Sequence, residues 1–215
     1  MFNFSSNTKV EQKFKIADLL KMIKADKQMK AQAQDIASVQ FCHALSEATT
    51  GLKPSEEVNE IYVIQIDLKN EQIPYEFIKA LDRTIHFQVL FALKNRDKTK
   101  YITDFKAITE ERISQSQFFE SSWLDAPPKD MPLVGNLTEL YKQMLIELSK
   151  MQFRAGETIK DWLQRNLDIE KLEKEFKKIE KQMKAEVQPK KQLEYNNKLR
   201  EIYQQIREKK DSGVA

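Results

Sequence analysis

Histidine, cysteine and glycine are scarce in this chain, and each scarcity removes a class of chemistry. The two histidines, His43 and His86, and the single cysteine, Cys42, offer no Cys/His pairs at zinc-ligand spacing. Cys42 and His43 are also adjacent, so on a strand they point to opposite faces. Neither a metal site nor a Cys–His nucleophile pair is expected. A lone cysteine forms no internal disulfide, which fits a reducing cytoplasm. The four glycines, Gly51, Gly135, Gly156 and Gly213, are isolated from one another. P-loop and Rossmann turns cluster their glycines so that backbone can approach phosphate, and neither signature is present. The chain is therefore not expected to be a nucleotide-driven motor, and no cofactor is expected. Few glycines and only six prolines also speak against a sandwich of tight turns and for long helices. No apolar run approaches the roughly 18 residues that span a bilayer, and the opening MFNFSSNTKV lacks a signal-peptide core. Secretion and membrane association are not expected.

What the chain does have is charge, at 32% of its 215 residues, with a net charge of only +3. The excess is uneven. From Asp168 to Asp211 there are 13 Lys/Arg against 10 Asp/Glu, and Lys9–Lys30 carries seven lysines against three acids. Such stretches are usually solvated helix faces. A phosphate-contacting face is the alternative.

Hydrophobic periodicity divides the chain. Phe14, Ile16, Leu19, Leu20 and Ile23 recur at helical spacing, so Lys9 to about Gln34 reads as a helix. Val39–Leu45 alternates as a strand. Glu60–Leu68 (EIYVIQIDL) is β-branched and apolar on both faces, which marks a central, buried strand. Pro74 opens a helix over Tyr75–Thr84. Phe87–Leu93 is a second strong strand, Lys100–Lys106 (KYITDFK) a half-exposed one, and Gln117–Trp123 adds a short one. This order predicts an α+β fold: a mixed or antiparallel sheet with flanking helices, not repeated parallel βαβ units. Within the last of these strands Phe118, Phe119 and Trp123 are expected to bridge the sheet and the helices, with stacking on bases the alternative.

Asp125–Pro132 holds three prolines and reads as a linker, so the expected division is a core at 1–124, a linker at 125–132 and a helical domain at 133–215. Asn136 and Glu139 form a capping box for a helix from Leu137, and Gly156 is the expected C-cap. Ile169, Leu172, Phe176, Ile179 and Met183, then Tyr195, Leu199, Ile202 and Ile206, follow 3- and 4-residue steps. Pro189 divides the two runs, so they should fold back as an antiparallel coiled-coil hairpin.

Two constellations carry chemistry. Asp67-Leu68-Lys69 is an acid-x-Lys step at the end of the buried strand. Metal-dependent nucleases place such a carboxylate on the metal and the lysine near the phosphate, but they need a further acid, with Glu47, Glu56, Glu57 and Glu60 as the candidates. A strand end that meets solvent carries such residues without any catalytic role. The second is the outer surface of the hairpin, with Lys174, Lys177, Lys178, Lys181 and Lys184 on one helix and Lys190, Lys191, Lys198, Arg200 and Arg207 at the bend and on the other. These are the expected contacts to nucleic acid or a partner; no helix-turn-helix or finger signature points to base readout.

The stretch Glu60–Leu93 resembles the core of a bacterial domain family of unknown function. The resemblance rests on the central strand, Leu81-Asp82, Ile85-His86 and the Phe-rich Val89-Leu90-Phe91. Ile179–Ile202, with Gln188-Pro189-Lys190-Lys191 and Glu194-Tyr195-Asn196, is similar to the helical hairpin that ends such proteins. The chain departs from the pattern near its start, where Lys13-Phe14-Lys15 replaces a Pro-Lys step and Val39–Leu45 an aromatic-Lys-Leu strand. The resemblance implies a setting beside helicase and DNA methyltransferase genes in restriction-like, anti-phage loci. It implies an accessory subunit that binds a helicase or nuclease partner, and DNA with it; a self-assembling scaffold, homo-oligomeric through the hairpin, is an alternative. It names no catalytic residue.

Overall fold

Ile61–Leu68 has the alternation of a strand buried on both faces, and it lies at the middle of the structure's main sheet. The computed structural model describes residues 2–108, 113–125, 129–132 and 134–211. In chain order the strands are β1 (Phe2–Asn3), β2 (Lys9–Phe14), β3 (Ile36–Leu45), β4 (Ile61–Leu68), β5 (Gln88–Asn95), β6 (Lys98–Thr103), β7 (Lys106–Ile108), β8 (Ile113–Gln115), β9 (Phe119–Glu120) and β10 (Lys129–Asp130). The helices are α1 (Ile16–Met22), α2 (Lys27–Gln32), α3 (Glu47–Thr50), α4 (Tyr75–Thr84), α5 (Leu137–Ser149), α6 (Ile159–Ala185) and α7 (Pro189–Lys210). The chain separates into two compact units, 1–150 and 151–215.

The first unit is built on a six-stranded sheet of order β2-β3-β4-β5-β6-β9. All neighbours are antiparallel except β4 and β5, which are parallel and joined across the sheet by α4. The α+β class is as expected, with one βαβ unit at its centre. On one face Ile64, Ile66 and Leu68 of β4 and Val89, Phe91 and Leu93 of β5 pack with Phe77, Ile78 and Leu81 of α4 and Leu19 of α1. On the other face Thr103, alternate to the buried Ile102, hydrogen-bonds the hydroxyl of Tyr141 on α5 at 2.7 Å. Seven residues of α5 are buried. At about 25 cal/mol per Å² of apolar surface, such contacts are the main source of stability.

Several expectations need correction. Lys9–Gln34 is not one helix: Lys9–Phe14 is an edge strand paired with β3, followed by α1 and α2. The reason is visible locally. Residues 9–13 are all exposed and have no apolar stripe, and Asp26 starts a new helix by accepting a hydrogen bond from Met29 N–H at 2.8 Å. The end of KYITDFK is not half-exposed, since Thr103, Asp104 and Lys106 are all buried. Gly156 does not cap α5. Lys150 does, in the left-handed region at φ 61°, while Gly156 (φ 73°) turns the chain ahead of α6. The division falls at 150/151 rather than at 125–132, and α5 belongs to the first unit. Residues 126–128 of the expected linker, and Leu133, lie outside the described residues.

The second unit contains the expected hairpin. Asn136 caps α5 by accepting from Glu139 N–H at 2.9 Å, while the Glu139 carboxylate accepts from Lys142 rather than completing the expected box, and Pro189 occupies the first turn of α7, where its missing N–H costs nothing. Ile179, Leu199 and Ile202 form the buried seam, with Leu172, Phe176, Met183, Tyr195 and Ile206 packed against it. Lys209–Asp168 (3.0 Å) and Lys210–Glu173 (2.6 Å) join the middle of α6 to the end of α7, consistent with the antiparallel sense.

Candidate functional site

The base of the hairpin is set by two arginines. Arg165, only 6% exposed, forms a double contact with Glu157, Nε–Oε1 at 2.6 Å and Nη2–Oε2 at 2.5 Å. Its remaining donors reach the carbonyls of Lys209 and Gln152. Arg154 donates to the carbonyls of Glu208, Lys209 and Asp211. The last carbonyls of a helix have no partner within it, so these guanidiniums complete and clamp the end of α7. Burial alone would raise the Glu157 carboxyl, but hydrogen bonds from Arg165 and from Arg154 N–H outweigh it and hold it below its ordinary value. Phe153 stacks on Trp162 at 4.7 Å beneath this clamp.

Away from the base, the hairpin presents charge. All ten expected contact residues, Lys174 to Arg207, are exposed. Lys174 pairs with Glu170, Lys184 with Glu180 and Lys191 with Glu186, each within α6 or across the bend. Lys177, Lys178, Lys181, Lys190, Lys198, Arg200 and Arg207 make no ion pair with another described residue. Val187 and Leu193 are exposed near the bend.

The acid-x-Lys step of β4 is placed differently. Ser38 Oγ and Gln65 Nε2 both donate to the Asp67 carboxylate, the latter at 2.8 Å. Lys69 Nζ donates to the Gln34 carbonyl at 2.7 Å. Among the described residues no three His, Cys, Asp or Glu side chains converge to hold a metal ion, so the further acid of a nuclease is not assembled around Asp67. Cys42 and His43 likewise do not converge on a site: His43 meets Thr8 Oγ1 at 2.8 Å and the ring of Phe4.

Sequence reading missed a second acid-x-Lys step, Asp104-Phe105-Lys106, and here the structure does gather its residues. Lys106 Nζ donates to Asp82 Oδ1 (2.9 Å), the Asp82 carbonyl (3.1 Å) and the Ile85 carbonyl (3.0 Å), which uses all three ammonium protons. Gln115 Nε2 donates to the other Asp82 oxygen at 2.6 Å. The side-chain amide of Gln88 pairs with both backbone groups of Lys106. Asp82, Asp104 and Lys106 are at most 1% exposed. Neither carboxylate oxygen of Asp104 meets a donor, and its titratable neighbours are Asp82, Lys106 and Tyr141. Burial first, and then the adjacent Asp82, push the Asp104 carboxyl up to about 8 against the opposing pull of Lys106. At neutral pH this favours the protonated form of Asp104. Burial lowers Lys106, and the two aspartates only partly restore it. The cluster thus sets the Asp82–Lys106 pair beside a carboxyl that burial drives toward its neutral form. It is sealed from solvent, so it is a structural lock rather than a substrate site. The signal that could have revealed it is the pairing of a charged Leu81-Asp82 step with an apolar strand ending in Asp and Lys.

Residues 2–206 match the sequence profile of DUF4391, a domain of unknown function. The chain belongs to that family. No curated protein and no solved structure matches it. The Leu81-Asp82 step acquires a physical meaning here, since Asp82 is the partner of buried Lys106. No described helix of this DUF4391 chain is long and apolar enough to cross a membrane.

Proposed function

We propose that this DUF4391 chain is an adaptor and not an enzyme, an accessory subunit of a DNA-targeting, restriction-like anti-phage assembly. Its hairpin contacts a helicase or nuclease subunit and the phosphates of DNA. One observation carries the reading: the hairpin satisfies its apolar seam internally and leaves all ten of the expected contact residues exposed, seven of these outside any ion pair with another described residue. Exposed cations on a braced scaffold suit phosphate or an acidic protein surface. The resemblance noted above supplies the defence setting. Interspersed glutamates keep the field weak, so affinity for DNA is modest and falls as salt rises, because binding releases condensed counterions.

The test is an anisotropy titration of duplex DNA at two salt concentrations. Reversing the charge of Lys177, Lys178, Lys181 and Lys184 weakens binding and flattens the salt dependence, while circular dichroism stays unchanged because all four are exposed. Binding equal to that of the unaltered protein would overturn the hairpin assignment. The rival reading, a metal-dependent nuclease using Asp67 and Lys69, predicts plasmid cleavage with Mg²⁺ or Mn²⁺ that Asp67→Ala abolishes. A self-assembling scaffold predicts a defined oligomer in light scattering without DNA or partner.

A further inference from the structure

The edge of the main sheet carries a feature that the adaptor reading leaves unused. Strand β2 ends the order of the sheet, so its outer backbone groups face no other described strand. Its register with β3 breaks between Lys9 and Gln12, around Glu11 at φ 55°, and then runs regularly through Gln12–Phe14. Beside these three residues, α1 and α4 leave a slot of about 380 Å³ over the sheet. Its walls are apolar, chiefly Phe14, Phe41, Tyr62 and Ile64, with half-exposed Met22 and the carboxylate of Asp18 at the rim.

We propose that this edge docks an extended, acidic segment of a partner protein, which adds a strand to β2 and inserts one bulky apolar side chain into the slot. The alternation of a strand sets the pattern. Gln12 and Phe14 line the slot, so Lys13 between them projects from the opposite face, where it lies across from Gln40 of β3. In an added strand, the residue facing the slot is flanked by two that lie on the side of Lys13. Both Lys13 and Lys15 are exposed and in no ion pair with a described residue, so acids are favoured at those flanking positions. Asp18 at the rim disfavours an acid in the slot itself. The recognised pattern is therefore acid–apolar–acid. Lysines and a bulge at a sheet edge ordinarily guard it against indiscriminate pairing. Here the same lysines select the charge of the strand they admit, while backbone hydrogen bonds supply affinity and the slot supplies specificity.

The experiment is selection of a displayed random heptapeptide library on the full chain, followed by titration of the consensus peptide. The expected consensus alternates acid and bulky apolar residues. The peptide should bind roughly tenfold more weakly to a Lys13→Glu/Lys15→Glu variant and to Met22→Asp, each checked for folding by circular dichroism. Amide resonance shifts should centre on Gln12–Phe14. A basic consensus, no consensus, equal binding to both variants, or shifts centred elsewhere would each overturn the proposal.

Discussion

The ammonium of Lys106 lies 2.9 Å from Asp82 Oδ1, and neither side chain has any exposed surface. A pair of this kind contributes little net stability compared with apolar residues of the same shape, but removing one partner strands the other. Lys106→Ala leaves Asp82 and two backbone carbonyls without their donor, so it should cost about 3–5 kcal/mol in urea unfolding. The double variant Asp82→Leu/Lys106→Met removes both charges and should recover much of that loss. If the single and double variants are equally destabilised, the pair is not the unit that matters.

Asp104 gives the fold a pH dependence of defined sign. Its folded value is raised to about 8 from an ordinary 3.8. Between those values the folded state holds a proton that the unfolded state has lost, so its contribution to stability is full below about 4 and declines as pH rises to about 8. Lys106, lowered by burial from its ordinary 10.5, acts in the opposite sense. Asp104→Asn keeps the side chain neutral at every pH. Denaturation at pH 5, 7 and 9 should show the unaltered protein losing stability across this range, and the variant losing markedly less. Identical slopes would place the proton elsewhere.

These two residues also mark the limit of what the sequence reveals. Strands β4 and β5, helix α4 and the hairpin seam were legible because each has a strong apolar period of its own. Helix α4 was placed at Tyr75–Thr84 without error. Strand β2 was not legible, since Val10, Glu11 and Lys13 show no buried face and it is a strand only because β3 offers a ladder. The Asp82–Lys106 pairing was only faintly legible for a related reason. Its partners lie 24 residues apart, and no local period reports which charged residues a tertiary core will enclose. On the hairpin the basic residues were correctly read as exposed, because the seam fixes which side faces inward. Their role in binding is not a property that spacing records.

At the hairpin base the expected effect is local. Arg165→Ala removes both contacts to partly buried Glu157 and the donors to Lys209 and Gln152. Breaking a buried pair in this way costs about 3 kcal/mol or more. Hydrogen exchange should quicken in Ile159–Ala185 and Pro189–Lys210, with β4 and β5 protected as before. Uniform quickening across the whole chain would show that the clamp supports more than the hairpin.

The neighbour order β2-β3-β4-β5-β6 is also the order in which those strands occur along the chain. Each strand therefore pairs with the one just before it, and the ladder grows outward without waiting for a distant segment. Loop closure is the slow, entropically costly part of assembling a sheet, and here each connection runs only between successive strands, three of them carrying helices and the β5–β6 turn being tight. The parallel step from β4 to β5 is the most demanding, and α4 shortens it by folding the connection onto the apolar face as it forms. The pairing of β1 with β10, which joins Phe2 to Lys129, spans the whole unit and so has the longest loop to close. Loop-closure entropy therefore predicts that the end-to-end clasp of β1 and β10 fastens after the sheet it spans.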